Sequence, residues 1–193
     1  MKVHAKNLIS ICGHLGTHKF NWQPESERFA IGYRTSVLIY NLSNSSFYLN
    51  RALNFIEKLI FKYGRTYVYG LNKERDSKWI KKFSFMNQVV ATEAWRGGYI
   101  TNARTFRGKV KNLKKRFSAV ISFSYDYQNY SLPRETHVMS LPSVCVVDSN
   151  VRAENFSYPI PINSTSIGGI RYLAYTFGLC IFKGLTKRIV SRF

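Results

Sequence analysis

Short apolar runs rich in β-branched and aromatic residues alternate along this chain with segments of helical periodicity, and this alternation restricts the possible folds more than any other feature. Strands that alternate with helices are typical of βαβ units, whose strands are parallel. The run SVCVV at residues 143–147 is continuously apolar, as expected for a strand that is covered on both faces. The sequence therefore predicts one α/β domain over residues 1–193, with a doubly wound parallel sheet of about five strands.

The individual elements follow from period and punctuation. Five strands are predicted at residues 37–42, 66–70, 88–92, 119–125 and 143–150, and helices at 47–63, 74–85, 101–116 and after the extended segment YPIPINSTS. The first helix should be capped by residues 43–46. Its predicted apolar stripe consists of Leu49, Leu53, Ile56 and Ile60. The buried face of the last helix is predicted to consist of Ile167, Ile170, Ala174, Phe177 and Ile181.

The charge of the chain is strongly one-sided, because 29 Lys and Arg residues against 10 Asp and Glu residues give a net charge of +19. Excess charge of one sign works against compaction, so an extended anionic partner is expected. Nucleic acid is the first candidate and an anionic membrane surface is the second. Residues 167–185 are about as long as a membrane-spanning helix requires, but Arg171 interrupts them and the spacing of their apolar residues favours a soluble helix with one buried face.

The stretch RGGYITNARTFRGKVKNLKKRF at residues 96–117 holds eight basic side chains and no acidic one. On a helical projection Val110, Leu113 and Phe117 point inward, while the basic residues cover much of the remaining surface. Like charges without acidic partners repel one another along a helix, so this segment is expected to meet an external anion. The turn at Gly97 and Gly98, near the start of this stretch, is expected to let the backbone pass close to its surroundings. Lys183, Lys187, Arg188 and Arg192 form a second basic group.

Catalytic and cofactor signatures do not appear in the sequence. It contains neither a phosphate-binding loop nor a dinucleotide fingerprint, and its three cysteines and four histidines lack metal-ligand spacing. Asp126 and Asp148 lie near predicted strand ends, and Asp148 is more simply part of a turn. No cofactor, metal or small-molecule substrate is therefore expected. Two alternatives stay open: an RNA-modifying or nucleotide-using enzyme with a pocket near Gly70, Asp126 and Asp148, and a peripheral membrane protein.

Five short motifs occur in a recognisable order: GHLG, WQPESERFAIGYR, WRGGYITN, VVDSN and YPIPINSTSI. In this order the chain resembles the bacterial-type ribosomal protein family two of the small subunit. Thr17, Ala94, Ser164 and Thr165 depart from the pattern of that family. The motif residues that match are His14, Gly16, Trp22, Pro24, Gly32, Trp95, Gly97, Gly98, Thr101, Asn102, Asp148, Asn150, Pro161 and Asn163.

The resemblance implies a flavodoxin-like three-layer α/β/α fold without catalysis, docked on small-subunit rRNA and beside neighbouring small-subunit proteins. Most of the helical hairpin that bacterial members insert after the basic segment is missing here. Residues 1–35 are expected to be a loop region that contacts rRNA or protein, residues 36–182 the sheet and helices, and residues 183–193 a basic tail. The residues expected to bind rRNA are Arg34, Arg96, Arg104, Arg107, Lys109, Lys111, Lys114, Lys115 and Arg116.

The composition and the departures from the family pattern also predict a location. The chain is rich in Phe, Tyr, Ile, Lys and Asn, as expected for a genome biased toward A and T, and it begins almost at the first motif. Together with the missing hairpin, these features favour a mitochondrial, organelle-encoded member over a bacterial one.

Overall fold

A computed structural model of the chain describes residues 2–90, 95, 97–102, 117–124 and 131–191. Within these residues the regular elements are helices and short strands, joined by turns and 3-10 segments. The helices are α1 Ala5–Ile9, α2 Leu42–Phe61, α3 Ser77–Phe85, α4 Ser131–Val138 and α5 Ile167–Val190. The strands are β1 Leu15–His18, β2 Ala30–Arg34, β3 Val37–Tyr40, β4 Thr66–Tyr69, β5 Val89–Val90, β6 Ala119–Ser122, β7 Ser143–Val147 and β8 Tyr158–Pro161.

The central sheet has five parallel strands in the order β5-β4-β6-β7-β8, which confirms the predicted α/β class. One strand assignment was wrong. Residues 37–42 do not join this sheet, because β3 pairs with β1 and β2 in a separate antiparallel sheet. The fifth parallel strand is β8, in the segment that the sequence predicts only as extended. Its prolines lack a backbone N–H, and an edge strand tolerates this loss.

Side chains on the two faces of the central sheet belong to two separate cores. Ile121 and Val144 pack in one core with the apolar stripe of α2 and the buried face of α5. Val120 and Cys145, one residue away along the same strands, pack in the other core with Trp95 and residues of α4 and the N-terminal segment. Because successive side chains of a strand point to opposite faces, the sheet lies between two covering layers. The three-layer α/β/α arrangement is confirmed.

The helical periodicity predicted most of the buried contacts of the α2 and α5 layer. Leu49, Leu53, Ile56 and Ile60 are all buried, as predicted for α2. In α5, four of the five predicted residues are buried, but Ile167 is 48% exposed, since it occupies the first position of the helix, before the turns that reach the sheet.

Two helices begin at residues other than those predicted. α2 begins at Leu42, where the Asn41 side chain accepts hydrogen bonds from the backbone N–H groups of Ser43 and Asn44, rather than after residues 43–46. α3 begins at Ser77, after a turn in which Asp76 accepts a hydrogen bond from the N–H of Asn72. The helix predicted over residues 101–116 lies largely outside the described residues, which include only a turn at 97–102.

The two ends of the chain also differ from the expected loop and tail. Residues 1–35 contain α1, β1 and β2, and α5 continues through Lys183 to Val190.

Arg171, the charged residue inside the apolar stretch of α5, forms an ion pair: its Nε lies 3.9 Å from Oδ1 of Asp76, in the turn before α3. No helix in the described part of the chain is both long and apolar enough to cross a membrane.

Candidate nucleic-acid interface

The Gly-Gly turn that precedes the basic segment is built around the buried carboxylate of Glu135. Oε1 of Glu135 accepts hydrogen bonds from the Gly98 N–H at 2.8 Å and from the Trp95 indole N–H at 3.3 Å. Oε2 accepts from the N–H groups of Ile100 at 2.7 Å and Thr101 at 3.2 Å. Four donors of one short stretch therefore converge on a single side chain from α4. Hydrogen bonds to an ionised acceptor are stronger than neutral ones, so the turn is firmly held.

Gly98 is the glycine of the pair that the turn requires. Its φ of +84° lies in the left-handed region, where side chains other than glycine are strained. Among the described residues, only Ser131 comes within 4 Å of a Cβ added at Gly97, at 3.8 Å. Trp95 packs edge-on against Tyr67 and Tyr69 of β4.

The end of this turn determines where the basic segment starts. The exposed Asn102 donates its N–H to the Gly98 carbonyl at 2.7 Å, and Thr101 beside it is also exposed. Residues 103–116 lie between Asn102 and Phe117, and Phe117 is buried, as predicted from its place in the apolar stripe. Residues 103–116 therefore connect the turn around Glu135 to Phe117, which packs against Tyr67 of β4.

A second buried carboxylate, Asp148, follows β7 at its carboxyl end. Its Oδ1 accepts a hydrogen bond of 2.7 Å from the Ser149 N–H and one of 3.4 Å from the Tyr40 hydroxyl. Its Oδ2 accepts from both the N–H and the hydroxyl of Ser164, each at 3.2 Å. Burial, and next the charge of Asp148, raise the pKa of Tyr40. Both carboxylate oxygens thus have internal donors, which supports the interpretation of Asp148 as a structural turn residue.

Ser149 connects this turn to the N-terminal motifs. Its Oγ accepts a hydrogen bond of 2.7 Å from the Thr17 N–H, and its carbonyl accepts one of 2.6 Å from the Gln23 N–H. A Cβ at Gly16 would lie 3.0 Å from Ser149 Oγ and 3.1 Å from Leu38, so glycine permits this close approach. Hydrogen bonds to Ser149 therefore hold residues 13–24 against the carboxyl end of β7.

Asn163 fastens the segment before α5 to the same region. Its Oδ1 accepts hydrogen bonds from the Thr165 N–H at 2.9 Å and the Thr165 hydroxyl at 2.7 Å, and its Nδ2 donates to the Cys12 carbonyl at 3.3 Å. Ser166 then caps α5 by accepting from the Gly169 N–H, as the sequence predicts for a Ser or Thr there. The carbonyl of Pro161, at the end of β8, accepts a hydrogen bond of 2.6 Å from the Ser45 hydroxyl of α2.

The remaining motif residues of the N-terminal segment lie on or beside the antiparallel sheet. His14 is half-buried, and its carbonyl accepts the Tyr40 N–H. Trp22 contacts Tyr33 edge-on at 5.5 Å, and Pro24 starts a 3-10 turn. Gly32 lies opposite Ile39 at a register shift, with open space at its Cβ position. Asn150, half-buried, follows Ser149.

Arg34 is the one residue of the predicted rRNA-binding set that the described part of the chain includes, and it lies exposed at the end of β2. The others lie outside the described residues: Arg96, Arg104, Arg107, Lys109, Lys111, Lys114, Lys115 and Arg116. Asp126 lies outside them as well. The role of these basic side chains stays a prediction.

Several carboxylates of this basic protein lie inside the fold. Asp76, Glu135 and Asp148 are buried, each with internal hydrogen bonds. Glu57 is 13% exposed and pairs with Lys187 at 2.6 Å and Lys183 at 3.4 Å on α5. Burial raises the pKa of Glu57, but the two lysines outweigh this effect and lower it overall. Few acidic side chains are left at the described surface to neutralise its Lys and Arg residues.

Glu135 and Ser149 are the organising residues that the sequence did not indicate. The partners of Glu135 lie 34 to 40 residues before it, and those of Ser149 lie up to 132 residues before it, so no local spacing reports either contact. The one available signal for Glu135 was that it is one of only 10 acidic residues in a strongly basic chain. Across the ranges described here, His, Cys, Asp and Glu side chains form no group of three that could hold a metal ion.

Comparison with known proteins decides the family. The sequence model of the family described as ribosomal protein S2 matches residues 8–124, more than half of the chain. The chain belongs to the ribosomal protein S2 family. A protein named small ribosomal subunit protein uS2 from Zymomonas mobilis is 23% identical over 208 residues, covering 88% of this chain and 83% of the relative. The uS2 protein of Bifidobacterium longum is 23% identical, with 97% and 81% covered.

A further member of the S2 family is the protein named small ribosomal subunit protein uS2c from Galdieria sulphuraria. It is 22% identical over 228 residues, which cover 98% of this chain and 97% of the relative. The alignments thus extend over nearly the whole chain, well beyond the segment that the family model matches.

Proposed function

We propose that the chain is a structural component of the small ribosomal subunit and binds its rRNA through a basic surface. Membership of the S2 family is the observation that carries this proposal. The charge supports it, because a net charge of +19 with three buried carboxylates leaves a surface suited to a polyanion.

The proposed rRNA contacts are centred on the basic segment and on Arg34. The basic segment starts at the turn around Glu135. The N–H groups of Gly98, Ile100 and Thr101 donate to the Glu135 carboxylate, so we do not expect them to bind phosphate. Phosphate binding is therefore assigned to the basic side chains and not to the turn itself. We place the contacts at Arg34, Arg96, Arg104, Arg107, Lys109, Lys111, Lys114, Lys115 and Arg116.

The proposed partners are the small-subunit rRNA and the neighbouring small-subunit proteins, with residues 1–35 as part of the contact region. We place the protein in the mitochondrial ribosome, encoded in the organelle. The composition rich in Phe, Tyr, Ile, Lys and Asn supports this location. The uS2c protein of Galdieria sulphuraria supports the broader statement of an organellar or bacterial ribosome.

The enzyme alternative loses its support at the strand ends. Relatives are named as ribosomal proteins, and both oxygens of Asp148 are occupied by internal donors. Gly70, the other described residue of that region, packs against Ser124, where an added Cβ would lie 2.6 Å from the backbone nitrogen.

Sedimentation of a native lysate through a sucrose gradient tests the proposed function. We expect the chain to migrate with the small ribosomal subunit and to leave that position after ribonuclease treatment. Migration as a free small protein, indifferent to ribonuclease, would contradict the proposal. Replacing Lys111, Lys114 and Lys115 together by Glu should abolish incorporation into the particle. The matched control replaces Lys73, Lys78 and Lys81, exposed lysines on and before α3, by Glu.

A further inference from the structure

A groove with basic, amide and aromatic walls crosses the outer face of α2 and reaches the start of β8. Its larger part is a depression of about 530 Å³. A second depression, of about 500 Å³, lies beside the connection from α4 to β7 and shares Phe55 and Tyr158 with the first, so the two depressions adjoin at these residues. The residues that line its larger part are Phe47, Asn50, Arg51, Asn54, Phe55, Lys58 and Tyr158.

Three aromatic rings line the larger depression. Phe55 and Tyr158 stack with ring centroids 4.5 Å apart and planes 18° apart, where the two depressions meet. The guanidinium of Arg51 lies 5.6 Å from the centroid of the Tyr158 ring. Phe47 is 64% exposed at the other end. Phe55 and Arg51 therefore cover the Tyr158 ring, whereas the exposed Phe47 ring is a platform on which an unpaired nucleic-acid base can stack.

The charge of the groove is positive and is not neutralised by the protein. Arg51 and Lys58 are exposed, no Asp or Glu lines either depression, and neither cation forms an ion pair within the described residues. Glu57, the one carboxylate of α2, pairs instead with the lysines of α5. Arg51 and Lys58 are seven residues apart, so they lie about 10 Å apart along the helix axis. At this spacing the two long side chains can approach different phosphates of one RNA strand.

We propose that this groove binds a short run of unpaired RNA nucleotides. A base stacks on the exposed ring of Phe47, phosphates lie near Arg51 and Lys58, and the exposed Asn54 amide can hydrogen-bond to base edges. The inference rests on the proposed function, since the RNA available on the ribosome is rRNA. The larger depression lies on the α2 layer, whereas the second depression is lined partly by Thr136 and His137 of α4, the helix that carries Glu135.

The first test measures binding of a fluorescent single-stranded oligouridylate to the full-length chain as NaCl is varied. The double variant Arg51→Gln and Lys58→Gln should lower the slope of log K against log salt by about 1.4, the value for two lost single-strand phosphate contacts. Its matched control, Lys78→Gln and Lys81→Gln, removes the same charge from α3 and should leave the slope unchanged. Equal slopes for the two double variants would overturn the inference.

The second test separates stacking from charge. Phe47→Leu should weaken oligouridylate binding by about tenfold, because it removes the exposed stacking ring. Phe47→Tyr keeps a ring and should bind like the wild type. Thermal melting of both variants identifies loss of fold, which is not expected at this exposed position. Unchanged affinity for Phe47→Leu would contradict base stacking.

The third test locates the contact by photo-cross-linking, with 4-thiouridine in the same oligouridylate. Cross-links on peptides that carry residues 47–58 or Tyr158, competed by single-stranded but not by duplex RNA, support the inference. Cross-links only elsewhere overturn it, as does a neighbouring protein cross-linked at these residues in isolated small subunits. A chain that migrates with the small subunit but carries no RNA at this groove refutes this inference alone. A chain that never migrates with the subunit refutes the proposed function.

Discussion

The carboxylate of Glu135 accepts a hydrogen bond of 2.8 Å from the backbone N–H of Gly98, which lies 37 residues earlier in the chain. Three further donors of the same turn bind this carboxylate, and Gly98 takes the positive φ that aims its N–H inward. The Gly-Gly turn does pass close to its surroundings, as expected from the sequence. The group that it approaches is a carboxylate of the protein itself, so the signature shapes the turn from which the basic segment departs.

Replacing Glu135 by Gln should lower the free energy of unfolding by about 2–4 kcal/mol. A glutamine retains one acceptor oxygen and turns an NH₂ group toward two backbone donors, so buried N–H groups lose their partners at a cost of about 1–3 kcal/mol each. Urea denaturation followed by circular dichroism measures this change.

The control for this variant is Glu74→Gln, which makes the same chemical change at an exposed position. It should alter the free energy of unfolding by less than about 0.5 kcal/mol. A Glu135→Gln protein as stable as the Glu74→Gln protein would show that the four hydrogen bonds do not hold the turn.

Hydrophobic periodicity predicted which residues of a single helix are buried. It did not predict which sheet a strand joins, because strand pairing depends on residues that are distant in the sequence. The stripe of α2 could be predicted because residues three and four apart share a face. VLIY has the composition of a buried parallel strand, but the two-residue turn that joins β2 to β3 places it in a hairpin. β8 was missed as a strand because its prolines are compatible with a sheet only at an edge, and the edge is defined by strand order.

The turn between β2 and β3 offers a stabilising substitution. Thr35 and Ser36 have φ values of +47° and +63°, although neither is a glycine or an asparagine. Arg34 pairs with Val37, so these two residues form a two-residue hairpin loop with positive φ at both positions. The double variant Thr35→Asn and Ser36→Gly should raise the free energy of unfolding by about 1 kcal/mol, because it relieves this strain. Thermal melting measures the gain.

The matched control places glycine where φ is helical. Ser46→Gly, inside α2, should lower the free energy of unfolding by about 0.5–1 kcal/mol, because glycine loses more conformational freedom in a helix. A loss of stability in the hairpin variant, similar to that of the control, would contradict the interpretation of the turn as strained.

The three cysteines should differ sharply in reactivity. Burial raises the pKa of Cys145 to about 12 and that of Cys180 to about 12, whereas Cys12 is exposed. The thiolate is the reactive form, so at pH 8 iodoacetamide should label Cys12 alone in the folded protein. Mass spectrometry of the digested protein identifies the labelled site, and Cys12→Ser should abolish labelling. Alkylation of Cys145 as fast as that of Cys12 would contradict the buried position of β7.

The ion pairs that join α2 to α5 should make stability depend on pH in the acidic range. The lysines at 183 and 187 lower the pKa of Glu57 below its ordinary value of 4.5, despite the opposing effect of burial. A carboxyl whose pKa is lower in the folded state contributes stability that is fully present above pH 4.5 and is lost as the pH falls through the lowered value. At pH 7, Glu57→Gln should therefore be less stable than the wild type by about 0.5–1 kcal/mol.

This difference between the wild type and Glu57→Gln should shrink as the pH falls below 4.5, because protonation removes the charge that the substitution also removes. Urea denaturation at several pH values from 7 down to 3 measures it. Lys187→Gln removes the closer partner of Glu57, at 2.6 Å. When both proteins carry Lys187→Gln, the effect of Glu57→Gln on the free energy of unfolding should already be smaller at pH 7. A constant difference across this range would mean that Glu57 joins the two helices through packing, with no contribution from its charge.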